Sequence, residues 1–261
     1  MSDIAPPIFD LFKFYGKTVL ITGSTGGIGS AIARRFAEAG ASLILHARGD
    51  TPAFDQLCDE LGTLTDGRVS QICADLSDAQ DCQSIFKNLH DESKTVDVLI
   101  NNAALQPVAA IADLTALAVQ EMLSVNLRAP MMLTSDFARA SGLGGSVVNI
   151  CSIEALSPAK AHSHYAATKA GLLHFTRAAA LELGPQGIRV NAICPGLINR
   201  EGLSDDWPEG VARWQKSVPL GRLGEATDVA DAALYLASEA ARFVTGACLT
   251  VDGGMECVPG W

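Results

Sequence analysis

The chain has 261 residues, 48% apolar and 18% charged, with 29 acids against 19 Lys and Arg and a net charge of −10. A chain of this length buries roughly three-quarters of its unfolded surface, and so large an apolar share excludes a disordered polymer. The acidic balance argues against a nucleic-acid or anionic-membrane partner, while leaving room for a local site that holds a small anionic cofactor. No apolar run reaches the ~20 residues that cross a bilayer, and residues 1–7 lack the basic-then-apolar order of a secretory leader. Seven irregularly spaced cysteines with no CxxC predict reduced thiols, a cytoplasmic setting and no metal site.

In chain order, short β-rich runs are predicted at 18–22, 42–47, 69–74, 96–100, 146–151, 188–193 and 247–251. Helical periodicity fills most gaps between them, at 28–39, 54–61, 79–90, 117–140, 165–183 and 226–238. Near-continuous apolar runs suit strands buried on both faces. The alternation predicts one α/β domain over residues 1–261, a doubly wound parallel sheet of about seven strands with helices on both faces. Residues 199–220 break the rhythm and carry Trp207 and Trp214. A strandless stretch of that length predicts a substrate lid.

After the first strand comes Thr22-Gly23-Ser24-Thr25-Gly26-Gly27-Ile28-Gly29. Glycines allow a sharp turn and close approach to a pyrophosphate. The helix that follows aims free N–H groups and a partial positive charge at it. Gly23, Ser24, Thr25, Gly27, Ile28 and Gly29 are therefore candidate cofactor residues. With no Gly-Lys-Ser/Thr ending, an NTPase loop is disfavoured. The second strand ends His46-Ala47-Arg48. Ala47 replaces the acid that would read a ribose 2′-OH, and Arg48 can pair a 2′-phosphate, so NADP(H) is favoured over NAD(H). Asp50 is an alternative partner for Arg48. Asp75, at the end of the third strand, can accept from an adenine amino group, cap the next helix, or both.

Tyr165 and Lys169 lie four apart on a predicted helix and share a face. Ser152 falls at the carboxyl end of the preceding strand, where parallel sheets collect their chemistry. A phenol titrates near ~10. A nearby ammonium and an oxidised nicotinamide would lower that value and let Tyr165 exchange a proton with an alcohol or carbonyl while Ser152 holds the oxygen.

These pieces, with Asp75-Leu76, Asn101-Asn102-Ala103-Ala104, Asn126, Pro195-Gly196, Val244-Thr245-Gly246 and the ending Val251-Asp252-Gly253-Gly254, resemble the short-chain dehydrogenase/reductase family from Gly16 to Met255. The resemblance implies a Rossmann-type fold and a catalytic tetrad of Asn126, Ser152, Tyr165 and Lys169. It implies that Asn126 holds a water linking Lys169 to solvent and that Lys169 also binds the nicotinamide ribose. It further implies cofactor contacts from Leu76, Asn102, Ala103, Ala104, Tyr165, Pro195, Gly196 and Ile198, and a homotetramer built on the long helices and last strand. Three positions depart from the family pattern: Ala104 replaces a glycine, Arg200 stands where a threonine is usual, and Thr25-Gly26 lacks a basic residue.

Gln106, Ser152, Glu154, His162, Tyr165 and Trp207 are the candidate substrate contacts. Their polarity suits a sugar or polyol, so the expected activity is hydride transfer between NADP(H), or NAD(H), and the carbonyl or secondary alcohol of a small polar substrate. A 3-oxoacyl-thioester reductase is the alternative. It would need Arg128, Arg139 or Arg200 to form a basic patch for an acidic carrier. A catalytically silent NADP(H)-binding regulator is disfavoured because all four tetrad residues are present.

Overall fold

Runs of Val, Ile and Leu build seven strands: β1 (Thr18–Ile21), β2 (Ser42–Ala47), β3 (Val69–Cys73), β4 (Val98–Asn101), β5 (Gly145–Ile150), β6 (Ile188–Pro195) and β7 (Cys248–Val251). In the computed structural model, which describes residues 6–92 and 95–258, they pair in parallel in the order β3-β2-β1-β4-β5-β6-β7. The order reverses between β1 and β4, the switch point at whose carboxyl ends doubly wound sheets bind their ligands. Residues 1–5, which carry most of the leader expectation, lie outside the described residues.

The helices are α1 (Gly27–Glu38), α2 (Pro52–Leu64), α3 (Ala79–Asp91), α4 (Ala116–Leu123), α5 (Ala129–Ala140), α6 (Ser163–Leu183), α7 (Leu203–Asp206), α8 (Pro208–Ser217) and α9 (Ala226–Ala237). Alternate β1 side chains serve opposite faces. Val19 and Ile21 join Phe36, Phe54, Leu61 and Leu236 under α1, α2 and α9. Leu20 joins Ile85, Leu133, Phe137 and Ala179 under α3, α5 and α6. Each large side chain so buried contributes about 1.5–3 kcal/mol. Local chemistry sets the helix starts: Thr51, Asp78 and Thr115 cap α2, α3 and α4, and Glu225 with Asp228 forms a capping box on α9.

Two elements differ from the sequence expectation. The single helix expected at 117–140 is interrupted by a π turn at Ser124–Arg128. Pro130 accounts for it: it has no N–H to give the carbonyl of Asn126, and its ring crowds that carbonyl. The stretch 199–220 is not irregular but holds α7 and α8. The cysteines are free thiols. Cys151, Cys194 and Cys248 share one apolar cluster, with the Sγ atoms of Cys194 and Cys248 3.2 Å apart. Hydrogen bonding from Cys151 and burial push Cys194 up to about 12, so it stays protonated. Among the described residues, no helix is long and apolar enough to cross a membrane.

Candidate active site

The turn between β1 and α1 is held by its own neighbours. Gly23 has φ +63°, a left-handed conformation that glycine adopts without strain. A Cβ on Gly29 would stand 2.2 Å from the carbonyl oxygen of Gly23 and 2.7 Å from Nδ2 of Asn102, so only hydrogen fits. Asn102 donates from Nδ2 to the carbonyls of Thr22 (2.9 Å) and Gly23 (3.0 Å). Its side chain therefore braces the turn. The N–H groups of Asn102 and Ala103 both reach Oγ1 of Thr22. Helix α1 has Gly26 as its N-cap and so no side-chain cap, which leaves its first N–H groups for an outside acceptor. These features fit a dinucleotide pyrophosphate, with Ser24 buried beneath the turn and Thr25 and Gly27 exposed on it.

His46 links this turn to the neighbouring strand. Its Nδ1 accepts from the N–H of Gly23 (3.2 Å), and its Nε2–H donates to the carbonyl of Ala74 (3.0 Å). A carbonyl can only accept and an amide N–H can only donate, so these two bonds require the neutral ring. Burial also pulls the pKa of His46 down. Asp75 accepts from the N–H of Ser77 (2.8 Å), and its bonds to Ser77 lower its pKa. Asp78, rather than Asp75, is the cap of α3. Arg48 is exposed at the end of β2 and forms no ion pair among the described residues, with Asp50 or otherwise. Leu76 is buried, and Ala104 is exposed with a negative φ, so the methyl that replaces the usual glycine there is accommodated.

Ser152 follows β5, and Tyr165 and Lys169 lie on the first turns of α6, all three buried. Ser152 Oγ accepts from the N–H of Glu154 (3.1 Å), and its hydroxyl is placed to act on the Tyr165 phenol. Lys169 Nζ donates to the carbonyl of Ile150 (2.8 Å) and sits 5.6 Å from the Tyr165 ring centroid. The expected acidification of Tyr165 is not met by the protein alone. Burial dominates and raises the phenol pKa; the Ser152 hydroxyl lowers it, and the Glu154 charge raises it again. Burial likewise lowers the pKa of Lys169. Asn126 lies in the π turn, with Oδ1 accepting from the N–H of Leu105 and Nδ2 donating to its carbonyl, both at 2.8 Å. Its side chain thus braces the segment after β4.

The opposite wall holds a polar cluster. His162 Nδ1 lies 2.9 and 3.0 Å from the two carboxylate oxygens of Glu154, and Gln106 Nε2 reaches Oε1 at 3.4 Å. Pro195 ends β6, and Ile198 bridges to Gly224. A Cβ on Gly196 would meet Cζ2 of Trp214 at 2.8 Å, so Trp214 lies against the Pro195-Gly196 turn. Trp207 instead packs on Gly210 under Arg213 and stays half exposed.

A family model described as enoyl-(acyl carrier protein) reductase matches residues 23–256. An L-rhamnose 1-dehydrogenase (NAD(P)+) of Azotobacter vinelandii is 37% identical over 249 residues, covering 92% of this chain and 96% of that protein. A 3-oxoacyl-[acyl-carrier-protein] reductase of Chlamydia trachomatis is 35% identical and spans 92% of this chain and 97% of its own. A crystal structure of a short-chain type dehydrogenase/reductase from Mycobacterium marinum superposes with a TM-score of 0.89 at 32% identity, covering 96% of this chain and all of that one. The chain belongs to the short-chain dehydrogenase/reductase family. Its relatives range over sugar, acyl and steroid substrates.

As a member of that family it shows which positions the sequence located and which it missed. The glycine turn, Ser152, Tyr165, Lys169, Pro195 and Gly196 come together at the carboxyl edge. Glu154, His162 and Gln106 meet as a cluster. His46 was missed as a brace; a polar ring ending an otherwise apolar strand beside the glycine turn was the available signal. Trp214, not Trp207, reaches the Gly196 wall.

Proposed function

We propose that the protein is an NAD(P)-dependent oxidoreductase that interconverts a secondary alcohol and a carbonyl on a small polar substrate, a sugar or polyol. The supporting observation is the buried Ser152–Tyr165–Lys169 group at the carboxyl edge beside the glycine cradle. When bound, the dinucleotide supplies the nicotinamide ring that takes the hydride from the alcohol carbon or returns it to the carbonyl. Tyr165 exchanges the hydroxyl proton, taking it during oxidation and giving it during reduction. Its raised pKa keeps the phenol protonated at neutral pH, the form that serves reduction. Ser152 holds the substrate oxygen. Lys169 holds charge beneath the ring and reaches the nicotinamide ribose. The link from Asn126 toward Lys169 runs through its main-chain carbonyl, which Pro130 deprives of an α-helical partner. Arg48 pairs a 2′-phosphate, so NADP(H) is the preferred cofactor, with Asp75 and Leu76 at the adenine. Thr25, Gly27 and Ile28 face the pyrophosphate while Ser24, beneath them, ties the turn to the carbonyl of His46; Ala103 and Ala104 face the adenosine side, and Pro195, Gly196 and Ile198 the nicotinamide. Residues 199–220 act as the lid.

A carrier-linked acyl thioester is less well supported. Arg139 pairs with Asp136 and Arg200 with Asp206, and Arg128 donates to the carbonyls of Leu76 and Ser77. None of the three is left to build a basic patch. Exposed Leu123, Met131 and Leu181 on α4–α6, with Phe243 before β7, support burial in a homotetramer, and a cytoplasmic setting suits the free thiols. The test is the absorbance of reduced nicotinamide with sugars, polyols and acetoacetyl thioesters, each with NAD and NADP. Turnover of thioesters and of no sugar or polyol would overturn the reading.

A further inference from the structure

We propose that Glu154 and His162 form a hydroxyl-reading pair that commits this site to an uncharged polyhydroxylated substrate and disfavours acids. The inference rests on the alcohol–carbonyl reading above and adds the class of alcohol. The two side chains are 11% and 19% exposed, enclosed but not sealed. They border the reacting group on two sides: Ser152 Oγ accepts from the N–H of Glu154 at 3.1 Å, and the His162 ring stands edge-on to Tyr165 with centroids 6.1 Å apart. A substrate oxygen held by Ser152 and Tyr165 therefore has its neighbouring carbon within reach of the pair.

The hydrogen bonds fix what the pair offers. Both carboxylate oxygens face Nδ1, so Nδ1 carries the proton. Nε2 makes no hydrogen bond among the described residues. In the neutral ring it is an acceptor, suited to the O–H on the carbon next to the reacting one. Gln106 donates to the same carboxylate and steadies it. The pair then carries one negative charge; with the ring protonated it carries none. In neither state does it present the net positive charge that would attract a carboxylate. The backbone is arranged to keep the ring there. Ala161, just before it, holds φ +64°, a left-handed conformation that is costly for a residue with a Cβ, and its carbonyl accepts from the N–H of Ala109 at 2.9 Å.

The test compares kcat/KM for L-rhamnose, D-glucose, 2-deoxy-D-glucose, D-gluconate and cyclohexanol with NADP and NAD, using the wild type, His162→Phe and Glu154→Gln. In the wild type, D-glucose is expected to exceed 2-deoxy-D-glucose and D-gluconate by about tenfold or more. His162→Phe brings the glucose to 2-deoxyglucose ratio close to one, because the 2-hydroxyl loses its acceptor. Glu154→Gln keeps the size, removes the charge and narrows the gap to gluconate. Circular dichroism establishes that each variant folds, and the wild-type ratios alone decide the matter if one does not. Equal rates with and without the 2-hydroxyl, a preference for gluconate, or oxidation of cyclohexanol without either sugar overturns the pair and leaves the oxidoreductase reading standing. Oxidation of no alcohol at all overturns both.

Discussion

Replacing His46 with Phe removes the two bonds that tie Gly23 to Ala74 (3.2 and 3.0 Å). It leaves a buried carbonyl and a half-buried N–H unpaired, at about 1–3 kcal/mol each. Gly23 is partly exposed and can take up water, so a total loss of about 2–4 kcal/mol is expected. For a chain of this size each kcal/mol lowers Tm by ~2–4 °C, so the variant should melt at least about 4 °C below the wild type. Loosening the turn should also weaken dinucleotide binding, read by quenching of tryptophan fluorescence. A pH dependence follows from the same geometry. Burial depresses the folded pKa of His46 below its ordinary 6.5, so as pH falls below that value the unfolded chain binds the proton first. Stability is full above 6.5 and falls with pH toward the folded pKa, by up to about 1.4 kcal/mol per pH unit. Asp75 faces the ring and partly offsets the effect by favouring the protonated form. His46→Phe should flatten that slope between pH 6.5 and 5, above the usual carboxylate range. Wild-type Tm and an unchanged slope in the variant would refute the brace.

The alternation of strands and helices was legible because both sheet faces are covered, so the strands read as unbroken apolar runs. The candidate group Ser152, Tyr165 and Lys169 was legible because its spacing along one strand end and one helix is local. The π turn was not, since its cause is a single backbone clash at Pro130 inside an otherwise helical pattern. The acidification of Tyr165 was expected from Lys169 and a docked nicotinamide together. Sequence does not show how completely the phenol is buried, and in the chain alone that burial raises its pKa. His46 reads as one more strand residue until β1, β2 and β3 lie side by side. The separation of Trp207 from Trp214 depends on how α7 and α8 fold back, which no periodicity reports.

Three other outcomes are expected. Ser152→Ala should lower kcat by about 10²–10³-fold, as loss of one donor to the reacting oxygen does, while dinucleotide binding measured by fluorescence titration is retained. Gly29→Ala places a methyl 2.2 Å from the Gly23 carbonyl and should weaken dinucleotide binding at least tenfold by calorimetry; unchanged affinity would remove the cradle from the account. Arg48→Ala should shift the NADP to NAD ratio of kcat/KM toward NAD by about 10–150-fold, the value of a charge-assisted bond of ~1.5–3 kcal/mol; a constant ratio would mean that Arg48 does not read the 2′-phosphate.

The central claim is that the Tyr165 hydroxyl carries the proton that accompanies the hydride. Tyr165→Phe removes that oxygen and keeps the ring. Single-turnover formation of reduced nicotinamide by the variant, with the best sugar and saturating dinucleotide, is predicted to slow by about 10²–10⁴-fold with cofactor affinity near that of the wild type. A rate within a few-fold of wild type would contradict the account.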